Sequence, residues 1–150
     1  MIVRKSGKNI WKDDALELFI DPGGDGLFWD NPGDFQIGVR AEEETGATRV
    51  WSWFQGGEDP SESGAVHARS VVDGTGYILE GRIRWDYLGI NPKEGLEIRL
   101  SPALHDLDRD RSEMKAEWHF RNEEDYQRFG LGRLRLEGPG RVGKKSINGV

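Results

Sequence analysis

The chain has 150 residues, 35% of them hydrophobic and 32% charged, and a formal net charge of −6. This length fits a single domain with one core, and six Trp, six Phe and three Tyr favour a folded chain over a disordered one. The acidic balance argues against a nucleic-acid partner, the lack of an apolar run of ~20 residues argues against a membrane span, and the lack of cysteine excludes disulfides and thiol chemistry.

Apolar residues recur with a period of two along most of the chain, which predicts β-strands. In the first strand, ALELFID, aliphatic residues alternate with Ala15, Glu17 and Phe19. Further strands are predicted, in chain order, in the segments DFQIGVR, TRVWSWF, AVHARSVVD, GYILEGRIRW, LEIRLSPALHD, MKAEWHF and GRLRLE. The turn signal DGTG at residues 73–76 predicts a hairpin between the fourth and fifth strands.

Two short segments favour helical turns instead of strands. One is WDYLG, which ends at Gly89, and the other is NEEDYQRFG, with Asn122 as its N-cap and Gly130 as its stop. The remaining pattern predicts an all-β fold, an antiparallel β-sandwich with a jelly-roll or immunoglobulin-like two-sheet architecture. We expect the sandwich to occupy residues 1–137 and residues 138–150 to form a flexible tail or linker.

The first predicted strand begins abruptly. It is apolar on one side and nearly so on the other, as is typical of a central strand, yet only a short stretch precedes it. A central strand needs a neighbour on each side. We therefore expect either that later strands supply both neighbours or that another piece of polypeptide contributes one.

The acidic residues around the first strand raise the question of catalysis. Most glycosidases use a pair of carboxylates as their catalytic groups. Alternatively, Asp13 and Asp14 solvate the strand entry, and Asp21 opens a turn before Pro22. No other glycosidase pattern accompanies them, so we expect no catalytic residues and a protein that is not an enzyme.

The segment HDLDRDRSEMKAE matches in part the oxygen-ligand spacing of a calcium loop. Its candidate ligands are Asp106, Asp108, Asp110 and Glu117. Arg111 stands where such a loop needs glycine, and strands are predicted on both sides of it. The alternative is a solvated loop whose aspartates pair with Arg109 and Arg111. The segment DPGGDG, with Asp21 and Asp25, is a weaker candidate because Asp-Pro-Gly-Gly is ordinary turn chemistry.

Trp11 is the tryptophan whose position in the sequence is least typical of a core residue. It precedes KDD at the mouth of the first strand, close to the carboxylate of Glu17. An indole stacks on the apolar face of a pyranose, and a carboxylate accepts hydrogen bonds from its hydroxyls, so this pair favours a sugar site. We expect Trp51, Trp53 and Trp85 to pack in the core.

Five segments follow each other in the order and approximate spacing of carbohydrate-binding module family 9, a member of the DOMON-like β-sandwich group. They are IWKDDALELFIDP, GDFQIGV, GYILEGRIRWDYLGI, HDLDRDRSEMKAEW and FGLGRLRL. The resemblance covers Ile10 to about Leu136. The family opens with several strands before its W-x-x-D segment, and this chain has no counterpart to them. The resemblance therefore implies a truncated, swapped or rearranged sandwich, with a dimer or strand-swapped partner as one outcome.

The resemblance also implies a ligand. Members that bind sugars clamp a terminal pyranose between two tryptophans on the concave face, and several bind calcium structurally. By position, Trp11 resembles the first clamp residue and Glu17 the carboxylate that meets sugar hydroxyls. Gln36 stands where the sugar-binding prototype has arginine, and Ala103 about where it has glutamine. Tyr126 lies close to the position of the second clamp tryptophan and could stack in its place.

We therefore expect a non-catalytic module that binds the end of a carbohydrate chain, as part of a larger secreted protein of polysaccharide degradation. Arg40 or Arg82 is a further polar contact in this interpretation. The resemblance implies an extracellular or periplasmic location, although this chain shows no signal peptide.

Two alternatives stay open. A structural or protein-interaction sandwich without a sugar ligand would share this composition, because fold does not fix function. Some DOMON-like relatives bind haem b for electron transfer. Here the axial ligands would be Met114 with His67, His105 or His119.

Overall fold

The computed structural model describes residues 9–10, 14–26, 31–41, 47–54, 57–72, 77–107, 113–117 and 131–138. The β-strands within these ranges are β1 (Ala15–Asp21), β2 (Phe35–Ala41), β3 (Thr48–Ser52), β4 (Val66–Val72), β5 (Tyr77–Ile83), β6 (Glu97–Leu107), β7 (Glu113–Glu117) and β8 (Gly132–Arg135). All their pairings are antiparallel. The predicted all-β, antiparallel fold class is confirmed. Within these ranges, no helix is long and apolar enough to cross a membrane.

The strands form two sheets. The larger sheet has the order β3-β2-β1-β6-β7, and β8 also pairs with β6; the smaller sheet consists of β4 and β5. β1 is therefore central, as its apolar composition predicted. Both of its neighbours, β2 and β6, come from later in the chain.

β1 divides its side chains between two faces of the larger sheet. Leu16, Leu18 and Ile20 lie on what we call the inner face, which packs against β4 and β5 around the main hydrophobic core. Ala15, Glu17, Phe19 and Asp21 lie on the opposite, outer face, because successive side chains of a strand point to opposite sides. The buried members of the main core are Ile20, Phe35, Ile37, Val39, Val50, Val66, Leu88 and Ile98.

The small sheet covers only part of the inner face. β4 packs over β2 and β3. Beyond it, Leu104 on β6, Met114 on β7 and Leu134 on β8 are 37%, 55% and 38% exposed. A cavity of about 310 Å³ lies between the sheets, lined by β5 and the inner-face residues of β1, β2 and β6. A dimer or strand-swapped partner stays a prediction.

The predicted turn WDYLG forms as a single hydrogen-bonded turn. The backbone N–H of Leu88 donates to the carbonyl of Arg84 (3.4 Å), and that of Ile90 donates to Trp85 (2.8 Å). Gly89 ends the turn with a φ of 66°, a conformation that favours glycine. The hairpin turn at 73–76, the predicted helical turn around Tyr126 and the tail from residue 139 lie outside the described residues.

Candidate functional site

The outer face carries a buried carboxylate at its centre. Glu17 lies in the middle of β1 and is 2% exposed. Its Cα partners in the sheet are Gly38 on β2 and Ala103 on β6. Because neither partner has a side chain larger than a methyl group, the carboxylate meets its diagonal neighbours instead.

Two hydrogen bonds hold this carboxylate, one from each adjacent strand. Nε2 of Gln36 donates to Oε1 of Glu17 over 3.2 Å. Nε2 of His105 lies 3.0 Å from Oε2. An ionised carboxylate accepts hydrogen bonds and does not donate them, so with Glu17 ionised His105 donates from Nε2 in this contact. The structure thus brings together Glu17 and Gln36, two of the predicted site residues.

Basic residues lie on the same face as the carboxylate. Arg40 on β2 and His105 on β6 are the Cα partners of Ala15. Ala15 lies two residues before Glu17, on the same face of β1. Arg40 is buried, as Glu17 is. Lys115 on β7 is the Cα partner of His105. Burying a carboxylate is unfavourable unless opposite charges or hydrogen-bond donors compensate, and Gln36 and His105 supply hydrogen bonds here.

Trp53 brings an aromatic surface to the same place. A Cβ atom at Gly38 would lie 2.5 Å from Cη2 of Trp53, so the indole rests directly on the backbone of β2 beside Glu17. Trp53 is half-buried and also packs against the outer-face apolar cluster of Phe19, Phe54, Ala103 and Leu131. Sequence reasoning assigned this tryptophan to the core. The available signal was a glycine inside a strand, which often marks close approach by another group.

Some buried polar atoms on the outer face have no hydrogen-bond partner within the described ranges. Among them are Oε1 of Gln36 and Oγ of Ser101. Both residues are buried, and both are Cα partners of Phe19, next to Glu17. Buried polar atoms in folded proteins are nearly always satisfied, so these two positions suit a bound polar molecule or water.

The other predicted sugar contacts are not part of this cluster as described. Trp11 and Tyr126 lie outside the described residues, and their roles stay predictions. Arg82 lies on β5 in the smaller sheet, opposite His67, and is exposed. Because the main core separates β5 from the outer face, Arg82 does not reach the site of Glu17. Arg40 does lie there.

The predicted calcium ligands are only partly described. Asp106 lies on β6 opposite Met114, and Glu117 lies on β7 opposite Ala103. Asp108 and Asp110 fall outside the described residues. Calcium binding by this group therefore stays a prediction.

A second acidic group lies where β1 ends and β2 begins. Carboxylate oxygens of Asp21, Asp25 and Asp34 lie within 4.8 Å of one another. The Asp21 carboxylate also accepts the backbone N–H groups of Gly24 (2.6 Å) and Gly26 (2.8 Å), so it stabilises the DPGGDG turn. Sequence reasoning named Asp21 and Asp25 but missed Asp34, which antiparallel pairing of β1 and β2 brings to them.

Comparison with known proteins gives a family match and a structural match. The family model described as "Carbohydrate family 9 binding domain-like" matches residues 1–138. Among solved structures, one that is similar is "A carbohydrate binding module family 9 (CBM9) from Caldicellulosiruptor kristjanssonii in complex with cellotriose". The two structures superpose with a TM-score of 0.65, and their sequences are 17% identical. The match covers 98% of this chain and 70% of that chain. No curated protein matches this chain.

Proposed function

Because the chain belongs to the carbohydrate family 9 binding domain-like family, we propose that the outer face binds a carbohydrate through the carboxylate of Glu17. The observation that carries the proposal is a buried glutamate held by Gln36 and His105 on a face that also carries small and aromatic residues. A solved structure that resembles the chain is a complex with cellotriose, and β-linked oligosaccharides of that kind are the first ligands to try.

The polar groups at the site match the needs of a sugar hydroxyl. Each carboxylate oxygen has two acceptor positions, and the bonds from Gln36 and His105 use one on each oxygen. Gln36 and His105 do not use the remaining positions, and these positions suit hydroxyl donors. Oε1 of Gln36 and Oγ of Ser101 add further acceptors close by. Sugar recognition generally combines such acceptors with an aromatic surface.

Trp53 is a described aromatic residue that lies beside Glu17, and its half-buried indole offers part of its surface to a ligand. We propose that a pyranose ring packs near this indole. Stacking on Trp11 and Tyr126 would add to that surface, since the resemblance implies a clamp formed by these two positions.

The proposed activity is binding without catalysis. A carboxylate that receives a hydrogen bond on each oxygen acts as an acceptor, and it is poorly suited to donate a proton to a leaving group. We propose that the chain serves as an accessory module of a larger extracellular protein that acts on polysaccharides, in keeping with its family.

Titration of intrinsic tryptophan fluorescence with glucose, xylose, cellobiose and xylobiose tests the proposal. We expect saturable binding of at least one of these sugars. Glu17→Gln removes the charge and should weaken that binding about tenfold or more, the effect of losing hydrogen bonds to a charged group. Glu80→Gln is the matched control, since Glu80 is exposed on β5 and pairs with Arg69. It should bind as the unaltered chain does.

Two results would contradict the proposal. One is a flat response to all four sugars by the unaltered, folded chain. The other is equal affinity in the Glu17→Gln and Glu80→Gln variants, which would place any sugar site elsewhere.

A further inference from the structure

We propose that His105 is a positioning residue of this site, which fixes the Glu17 carboxylate so that it accepts two neighbouring hydroxyl groups of one sugar ring. The inference rests on the proposed function and goes beyond it, because it assigns a residue and the ligand feature that the residue selects. Neither the family match nor the likeness to a solved structure points to this histidine.

His105 reaches Glu17 because of the register of β6. It is the Cα partner of Ala15, two residues from Glu17 on the same face, and its ring spans that diagonal to bring Nε2 within 3.0 Å of Oε2. The side chains of His105 and Glu17 are 14% and 3% exposed. Bulk water therefore competes weakly for this contact, and a hydrogen bond to a charged group is strongest under such conditions.

Two anchors on different strands remove the freedom that a glutamate usually has. The last side-chain torsion of glutamate is broad, so a carboxylate with one partner can rotate about it. Here Gln36 on β2 holds Oε1 from one side, and His105 on β6 holds Oε2 from the other. The plane of the carboxylate is thereby fixed, whereas either partner alone would fix only one oxygen.

A fixed carboxylate has a defined preference among ligands. Each oxygen has a second acceptor position, which neither Gln36 nor His105 uses. These two positions suit two hydroxyl groups on neighbouring ring carbons that donate together. The geometry therefore selects sugars that present such a pair, and it disfavours sugars in which either hydroxyl is missing. When the sugar lacks one of these hydroxyl groups, a buried acceptor of the protein is left without a partner, and the affinity for that sugar falls.

Substitution at His105 separates positioning from general packing. His105→Leu keeps an apolar side chain of comparable length but donates no hydrogen bond, and His105→Gln keeps a donor nitrogen at the end of a flexible chain. His67→Leu is the matched control, because His67 is exposed on β4 opposite Arg82. Each variant is titrated with the sugars used for the unaltered chain, and its fold is checked by chemical unfolding.

We expect His105→Leu to weaken binding about tenfold, His105→Gln to recover affinity to within about threefold, and His67→Leu to bind as the unaltered chain does. If the unaltered chain binds a sugar and His105→Leu binds it with the same affinity, the role of His105 is overturned and the proposed function still stands. No binding by the unaltered chain would remove the proposed function, and this inference with it.

Nitrogen-15 NMR of the unaltered chain provides a second measurement that does not depend on how a variant folds. We expect His105 to carry its proton on Nε2, and its ring nitrogen shifts to change when the best-binding sugar is added. An Nε2 without a proton would overturn the inference, because the contact with Glu17 requires that donor.

Discussion

The two faces of the larger sheet are both buried, but for different reasons. On the inner face, Ile20, Ile37 and Val39 pack against the smaller sheet, and their burial is favourable by itself. On the outer face the same strands bury Glu17 and Arg40, whose burial is unfavourable without partners. The contrast shows that burial alone does not identify a core. A polar buried face that is held together by hydrogen bonds is a better candidate for a binding site.

The largest expected effect comes from the inner face. Ile37 is fully buried among the core residues of both sheets. Ile37→Ala should lower the free energy of unfolding by about 2–5 kcal/mol, because it leaves a cavity. Leu134→Ala is the matched change on the uncovered part of the same face, and with Leu134 38% exposed it should cost about 1 kcal/mol or less. Guanidinium denaturation measures both. Equal losses would show that the two parts of the inner face are covered to the same degree.

An intermediate effect is expected at the contact between Gly38 and Trp53 on the outer face. A Cβ atom at residue 38 would lie 2.5 Å from the indole, so Gly38→Ala must displace the ring. We expect a loss of about 1–3 kcal/mol in stability and a red shift of tryptophan emission. Gly33→Ala is the control, since a Cβ there would come no closer than 3.4 Å to Asn31. An unchanged emission spectrum in Gly38→Ala would mean that Trp53 does not rest on β2.

The smallest expected effect depends on pH. Burial raises the pKa of Tyr87 from 10.0 to about 12, and its ring packs on Phe35 with centroids 5.3 Å apart. The folded chain holds this proton more tightly than the unfolded chain does. The stabilisation is therefore fully present below pH 10 and is lost as the pH rises to about 12.

The loss should be on the order of 1 kcal/mol, because solvent screens a half-exposed phenol. Urea unfolding of the unaltered chain and of Tyr87→Phe across this pH range measures it, and the difference between the two removes the contribution of other titrating groups. If the free energy of unfolding changes with pH in the same way in both proteins, Tyr87 has the same pKa in the folded and unfolded chains.

Much of the fold was predictable from local pattern. The period-two alternation identified the strands, and the apolar composition of β1 placed it at the centre of a sheet. The resemblance to a family directed attention to Glu17 and Gln36, which the structure joins by a hydrogen bond. The same reasoning did not connect Trp53 or His105 with Glu17. Trp53 was assigned to the core, and it does pack against the outer-face apolar cluster. His105 was weighed as a metal or haem ligand.

The reason for these misses is that strand pairing is not local. Alternation along β1 decides which residues share a face with Glu17, and this information lies within the sequence of one strand. It does not decide which strands become the neighbours of β1. Gln36 lies 19 residues from Glu17 along the chain and His105 lies 88 residues away, yet each bonds one oxygen of the same carboxylate. The sequence by itself determined that an acidic residue would lie on a strand with one apolar side. Only the tertiary structure, by setting the register of β2 and β6 against β1, decided what surrounds it.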